Sequence, residues 1–374
     1  MSIVYFDSAA TTAPLESAKN AAIAAINEYG NPSSLHTAGI KAKRIIDSAR
    51  KSVADSLYCK PDEVIFTGGG SESNNQAIFG AARLRARRSK RIITTDSEHP
   101  SVSNPLKALE AEGFEIIKIP TLNGALDLQS LEKALNGGAA FVSIMLANNE
   151  TGAKYDISAV RKAIDKSGCG ALLHCDAVQG YLKTEDKREI SKNCDLASIS
   201  AHKIGGFKGV GALYCKNGTR IQAFIHGGGQ EKNLRSGTEN TVGIAAFGAA
   251  ALEFPKYSDR IASLYAKAVS LFSNYGDIIK LNIPEKHINT VLSLSVKGVR
   301  SEVMLNALDL HGICISAGSA CSSRKGPSGA LTAYGLTKEE IEGTVRISFG
   351  WQNTEEEIEF LAEKLTETAN KLKR

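Results

Sequence analysis

Paired cysteines are missing from this chain. Seven cysteines occur, at positions 59, 169, 175, 194, 215, 314 and 321, and no two stand in a Cys-x-x-Cys pair. The usual structural zinc site is therefore not expected, and no metal is assigned. An odd number of thiols without a regular framework also argues against a disulfide-stapled secreted fold. Long apolar runs are absent too. The best candidate for a membrane segment, 242–252, is rich in Ala and Gly and falls well short of the ~20 residues that a span requires. The first residues, Met-Ser-Ile-Val-Tyr-Phe-Asp7, show no basic region leading into an apolar stretch, so no signal peptide is expected. These absences together read as a cytoplasmic protein with reduced thiols and no membrane contact. Excess charge is scarce as well. The formal net charge is +5, and no basic stripe with interleaved aromatics appears, so direct nucleic-acid binding is not expected. The densest basic stretch, 83–91, reads as a solvated helix end, where cations complement the helix dipole.

What is present is an alternation. At 374 residues the chain exceeds a usual single core, which implies two domains. Strand-like runs fall at 3–6, 63–67, 91–95, 115–119, 141–146, 171–175, 195–200 and 210–215. Helical patterns fall between them, at 15–29, 40–57, 72–88, 102–112, 128–136 and 157–167. Near-continuous apolar strands alternating with helices predict an α/β fold with a mostly parallel sheet covered on both faces. Ligands in such sheets bind outside the carboxyl ends of the strands. After about residue 254 the texture changes to a smaller α+β unit, with strands at 291–296, 313–316 and 345–349 and a helix at 302–310. Thr354 and Glu357 have the spacing of a capping box that opens a last amphipathic helix.

Chemistry gathers at the strand ends. Lys203 closes Asp195-Leu-Ala-Ser-Ile-Ser-Ala-His-Lys203, and Asp176 closes Ala171–Cys175. Upstream, Thr67-Gly-Gly-Gly-Ser-Glu-Ser-Asn-Asn75 follows a strand and opens a helix. This is either a tight turn with a helix cap or a cradle for an anion on free amide groups. It lacks the ending of a Walker A loop and the spacing of the dinucleotide fingerprint. Asp176 is either a helix cap or a carboxylate for a pyridinium nitrogen. A lysine, such an aspartate and a phosphate-holding turn suggest a pyridoxal phosphate (PLP) site. Ser200 and His202 add phosphate donors beside Lys203. His99 follows the strand 91–95; its flat ring suits stacking and proton transfer. Asn148-Asn-Glu-Thr-Gly152 offers amides, and Arg346 interrupts an apolar strand where it either binds a carboxylate or makes a structural ion pair. Cys321 precedes a polar stretch with Arg324 and Lys325 nearby, and cations favour its thiolate.

With these residues the chain resembles the NifS/IscS-like cysteine desulfurases, fold-type I PLP enzymes of the class V aminotransferase group. The resemblance runs nearly end to end, through Asp7-Ser-Ala-Ala-Thr-Thr12, Gly30-Asn-Pro-Ser-Ser34, the glycine turn, Glu98-His99, Asn148-Asn-Glu150, Asp176-Ala-Val-Gln179, Ser200-Ala-His-Lys203, His226-Gly-Gly-Gly229, Arg235-Ser-Gly-Thr238, Ser319-Ala-Cys321 and Val345-Arg346. It implies a large PLP-binding domain over 14–253 with a mostly parallel seven-stranded sheet. It implies a small α+β domain from 1–13 with 254–374. It further implies that Lys203 carries PLP, that Asp176 meets the ring nitrogen and Gln179 the phenolic oxygen, and that His99 stacks on the ring. Gly70, Ser71, Ser200 and His202 would hold the phosphate, joined by Thr238 from the other subunit of a homodimer. Arg346, with Asn149 and Asn31, would bind the carboxylate of L-cysteine. Cys321 would take the sulfur as a persulfide for a protein acceptor that serves iron–sulfur clusters, thio-cofactors or tRNA. Selenocysteine lyase is the alternative. One departure stands out: Glu231-Lys-Asn233 replaces the family's usual Glu-Arg-Gly.

Overall fold

The computed structural model describes residues 3–317 and 328–372. Its centre is a seven-stranded sheet. The strands are β2 (Val64–Thr67), β3 (Arg91–Thr95), β4 (Glu115–Ile119), β5 (Phe141–Ser143), β6 (Leu172–Asp176), β7 (Leu196–Ser200) and β8 (Gly211–Cys215), in the order β2-β8-β7-β6-β5-β3-β4. The five strands from β7 to β4 pair in parallel, and β8 runs antiparallel to both its neighbours. Strands β2, β5, β6, β7 and β8 are buried along their whole length. Burial on both faces explains why they read as apolar runs rather than as an alternation.

Helices α1 (Glu16–Ile26), α2 (Thr37–Leu57), α3 (Gly70–Arg85), α4 (Pro100–Ala111), α5 (Leu128–Asn136) and α6 (Ile157–Ser167) fill the intervals between strands. The expected bounds of β3, β4, α5 and α6 coincide with the observed ones. The run expected at 141–146 ends as a ladder strand at Ser143. Its continuation still bonds β6, through Ile144 N to His174 O (3.1 Å) and Leu146 N to Asp176 O (2.8 Å), before Ala147 turns to bridge Lys154. The Ala- and Gly-rich segment 242–252 lies in a helix, Thr241–Glu253, packed against α1 and α2. Small residues let these backbones approach closely: a Cβ on Gly248 would stand 2.7 Å from Ala49 Cα. No helix among the described residues is long and apolar enough to cross a membrane.

A second sheet follows. It pairs β9 (Ile279–Leu281), β10 (Val291–Val296) and β12 (Thr344–Ser348) antiparallel, in the order β12-β10-β9. The N-terminal β1 (Val4–Tyr5) joins this end of the molecule, pairing in parallel with β11 (Ile313–Cys314). Just beyond it, Asp7 bridges Ser348. Both ends of the chain therefore meet beside β12. The last helix, Glu355–Leu372, begins with the expected capping box: Glu357 N donates to Thr354 Oγ1 (3.3 Å) and Thr354 N to Glu357 Oε2 (3.2 Å).

The departure at 231–233 has a structural account. Glu231, Lys232 and Asn233 have φ of 44°, 60° and 62°, three consecutive left-handed non-glycine residues. Asn tolerates this region better than other side chains, which suits it to a place where glycine is usual. Such strain persists only where neighbours fix it. Here the Glu231 carboxylate accepts both arms of Arg50, at 2.5 and 2.8 Å, and the Phe66 N–H at 2.8 Å. The anchor therefore grips β2 immediately before the glycine turn.

Candidate active site

A cavity of about 460 Å³ opens at the carboxyl ends of β6 and β7, where a mostly parallel sheet is expected to hold a ligand. Gly70, Ser71, His99, Asn149, Asp176, Gln179, Ser200, His202, Lys203 and Arg346 all line it. Ten of the residues singled out in the sequence are thus brought together. Asn31 and Thr238 are not on this wall: both are exposed, and Asn31 Oδ1 accepts the Ser33 N–H at 2.9 Å. Asn31 is therefore not assembled with Arg346 within one chain. Cys321, Arg324 and Lys325 lie outside the described residues. The chain on either side of 318–327 starts and ends at the cavity: Ser316 lines it, and Ser328 donates to Glu150, another lining residue, at 2.6 Å.

The glycine turn opens α3. Gly69 has a φ of 149°, which an L side chain rarely adopts, and a Cβ on Gly70 would stand 2.6 Å from Val178 Cγ2. The first amides of α3 have no intrahelical acceptor, so they offer donors and a positive dipole end to an anion. Lys208 shares a neighbouring cavity with Gly68, Gly70, Ser71, Ser200 and His202. The sequence reading missed this cation, because one lysine in a glycine-rich loop gives no local signal.

Asp176 ends β6 in the cavity wall. Its Oδ1 accepts Val178 N–H at 3.0 Å and its Oδ2 accepts Asn74 Nδ2 at 2.8 Å. Burial pushes its pKa up, and His99, these hydrogen bonds and Lys203 oppose the rise. A carboxylate enclosed in this way gains most from a cationic partner. Lys203 sits in a single turn after β7. Its Nζ donates to Ala9 O at 2.6 Å and Ala10 O at 2.8 Å. Burial, aided by Arg346, pushes this amine down to about 8, against the pull of Asp7 and Asp176. An appreciable fraction is therefore neutral near physiological pH. His202 is pushed down to about 4 by burial and by the cations Lys203, Lys183 and Lys208.

Of the two sequence readings of Arg346, the ion pair is present. Arg346 lines the cavity, and its Nη2 lies 2.7 Å from Asp7 Oδ1. Its Nη1 donates to Asn149 O at 2.9 Å. Gln179 Nε2 donates to Ala9 O at 2.8 Å, and Lys183 Nζ reaches Gln179 Oε1 at 3.3 Å. The segment 7–12 is the part the sequence reading left without a role. It touches Arg346 through Asp7, Lys203 and Gln179 through Ala9, Lys203 again through Ala10, and His202 through Thr11 Oγ1 (3.3 Å). Thr12 Oγ1 also donates to Lys203 O at 3.0 Å. Backbone carbonyls make half of these contacts, and carbonyls leave no mark in a side-chain pattern.

The class-V aminotransferase family model matches residues 4–361. The cysteine desulfurase IscS of Clostridium botulinum is 37% identical to this chain, over 97% of this chain and 93% of that protein. Among solved structures, a NifS-like protein superposes with a TM-score of 0.92 at 34% identity, covering 99% of this chain and all of that one. A structure of SspA in complex with cysteine superposes with a TM-score of 0.80 at 31% identity, covering 94% and 99%. The fold, the cavity and these likenesses agree from one end of the chain to the other, and the chain belongs to the class-V aminotransferase family, among its cysteine desulfurases.

Proposed function

We propose that the protein is a PLP-dependent cysteine desulfurase that converts L-cysteine to L-alanine and leaves a persulfide on Cys321. The observation that carries the reading is the convergence of Lys203, Asp176 and Arg346 on one cavity at the strand ends.

The residues present fit PLP. The enclosed Asp176 calls for a cation, and a protonated ring nitrogen supplies one. The amides of Gly70 and Ser71, with Ser200, His202 and Lys208, suit a phosphate. The close approach of Gly70 to Val178 leaves no room there for a side chain. When bound, PLP supplies an electron sink that weakens bonds at the substrate Cα and, next to it, the bond to sulfur.

The protein's own groups do the rest. Lys203 would hold the cofactor covalently and, when free of it, would take the Cα proton; its depressed pKa suits both tasks. Asp176 would hold the ring-nitrogen proton, and Gln179 would donate to the phenolic oxygen. Arg346, with Asn149, binds the substrate carboxylate. His99 presents its ring to the cavity. The Cys321 thiolate attacks the substrate sulfur and forms an S–S bond as the C–S bond breaks. The electrons of that C–S bond pass to carbon, which gains a proton and becomes the methyl of alanine. The sulfur then goes to a protein acceptor. We further propose a homodimer in which Thr238 serves the other subunit's phosphate site, with 14–253 as the cofactor domain and 1–13 with 254–374 as the smaller one.

Mass spectrometry after treatment with cysteine tests the reading. The added sulfur should appear on Cys321, with one alanine released per persulfide. Cys321→Ser should still take up PLP but release no alanine, because a serine hydroxyl is a poor sulfur acceptor. A persulfide on another cysteine, or normal turnover by Cys321→Ser, overturns it. With selenocysteine supplied instead, release of its selenium by a protein that forms no persulfide from cysteine would mark the selenocysteine alternative.

A further inference from the structure

A line of hydrogen bonds joins Asp176 to His99 through two residues that carry no role so far. Asn74 is fully buried in the first turns of α3. Its Nδ2 donates to Asp176 Oδ2 and to Ser101 Oγ, each at 2.8 Å. Ser101 Oγ lies 2.8 Å from His99 Nδ1, and the Ser101 backbone N donates to the same Nδ1 at 3.1 Å. His99 is the N-cap of α4, so its ring is tied to its own helix.

The donors and acceptors sort themselves. An ionised carboxylate only accepts, so the Asn74 amide must turn its NH₂ toward Asp176. The second amide hydrogen goes to Ser101 Oγ. That leaves the Ser101 hydroxyl proton to point at His99 Nδ1. A backbone N–H only donates, so Nδ1 accepts from Ser101 twice. A neutral imidazole has one N–H, and here it must sit on Nε2. The opposite tautomer would set an N–H against the Ser101 N–H.

We infer that Asn74 and Ser101 are positioning residues that hold His99 as its neutral Nε2–H tautomer, in register with the charge on Asp176. The negative charge fixes the amide, the amide fixes the hydroxyl, and the hydroxyl together with the Ser101 backbone N–H fixes the imidazole. Nε2–H is then the ring's donor toward whatever occupies the cavity, while Nδ1 is closed to protons from solution. Burial also disfavours the imidazolium; Asp176 and Glu150 oppose that effect and Lys203 reinforces it. The inference rests on the desulfurase reading for what the proton is used for, but the tautomer belongs to the folded chain whatever the substrate.

Long-range proton–nitrogen correlation spectra of the holoenzyme, labelled with ¹⁵N-histidine, test it. His99→Gln identifies the His99 signals by their loss. At neutral pH the wild type should show the Nε2–H pattern. Ser101→Ala removes one of the two donors to Nδ1 and leaves the backbone N–H alone to hold it, so the fraction of the second tautomer or the imidazolium should rise, and kcat should fall about tenfold with little change in KM for cysteine. That is a fraction of the ~10²–10⁴ a general acid–base group contributes. Ser101→Thr keeps the hydroxyl and should restore both readouts. Asn74→Ala should move them in the same direction as Ser101→Ala. Its buried site makes folding the risk there, so the Ser101 pair decides. An Nδ1–H or imidazolium pattern in the wild type overturns the inference. So does a Ser101→Ala enzyme with an unmixed Nε2–H pattern and normal kcat. Because the spectrum does not depend on turnover, a wrong substrate assignment leaves it intact, whereas a wrong relay shows even in an active enzyme.

Discussion

The two halves of the cavity are built in different ways. The half around Gly70, His99, Asp176, Ser200 and Lys203 comes from the carboxyl ends of β2, β3, β6 and β7 in one mostly parallel sheet. Each residue is placed by its own strand or helix, and Asp176, Asn74, Ser101 and His99 are bonded to one another. The half around Arg346 is assembled from distant parts: Asp7 from the N-terminal segment, Asn149 from the loop after β5, and Ser316 from beyond β11. The Asp7–Arg346 pair joins residues 339 positions apart. The first half is bonded together at the end of one sheet, which suits it to a group that stays. The second closes only when the chain's two ends meet, which suits it to a substrate that comes and goes.

The largest effect should come from the centre of the first half. Lys203→Ala should lower kcat by at least ~10²–10⁴-fold, the usual worth of a general base. Borohydride should fix PLP to the Lys203 peptide in the wild type. The pH dependence adds a sharper test. With the amine pushed down to about 8, PLP uptake by the cofactor-free chain should rise with pH up to about 8 and then level off. An ordinary lysine would keep gaining to ~10.4. Label on Lys183, also depressed, to about 7, would move the seat to the wrong amine.

The foundation of that half comes next. Arg50→Ala strands the buried Glu231 carboxylate, and removing one partner of such a pair costs about 3–5 kcal/mol. The denaturation midpoint should drop accordingly. Because Glu231 also holds the Phe66 N–H beside the glycine turn, PLP affinity should fall more than cysteine affinity. Equal losses in both would erase the contrast between the halves.

Arg346→Lys probes the second half. A point charge cannot reproduce the planar fork that holds Asn149 O and Asp7 together. Cysteine binding should weaken by about 1.5–3 kcal/mol, roughly 10- to 150-fold, with the cofactor spectrum nearly unchanged. Unchanged cysteine affinity would assign the carboxylate to another group.

The same contrast decides what the sequence made legible. The first half is local: strand, glycines, helix, then strand, aspartate. Apolar runs and strand-end polar residues mark it, so its residues and most of the sheet could be read directly. The Ala-rich helix Thr241–Glu253 could not, because it is apolar all round and carries no amphipathic stripe. The role of segment 7–12 was invisible for another reason. Its contacts use backbone carbonyls, two threonine hydroxyls and a pair closed across the whole chain. Asn74 was quoted as part of a motif, but only its place between Asp176 and Ser101 shows what its amide does.

The smallest expected effect is the most discriminating one, and it falls on Asp7. Asp7→Asn keeps the shape and still offers an oxygen to Arg346 Nη2, so the contact survives as a neutral hydrogen bond. Charge-assisted bonds are roughly twice as strong as neutral ones, so the loss should be about 1 kcal/mol. KM for cysteine should rise roughly fivefold while kcat holds. A second readout lies on the other half of the cavity. The Asp7 charge raises the pKa of Lys203, against burial and Arg346. Removing that charge favours the neutral amine, so the rising limb of PLP uptake should move to lower pH. Both shifts together would show that the N-terminal segment couples the two halves. A raised KM with an unmoved limb would leave Asp7 a prop for Arg346 alone, and the halves independent.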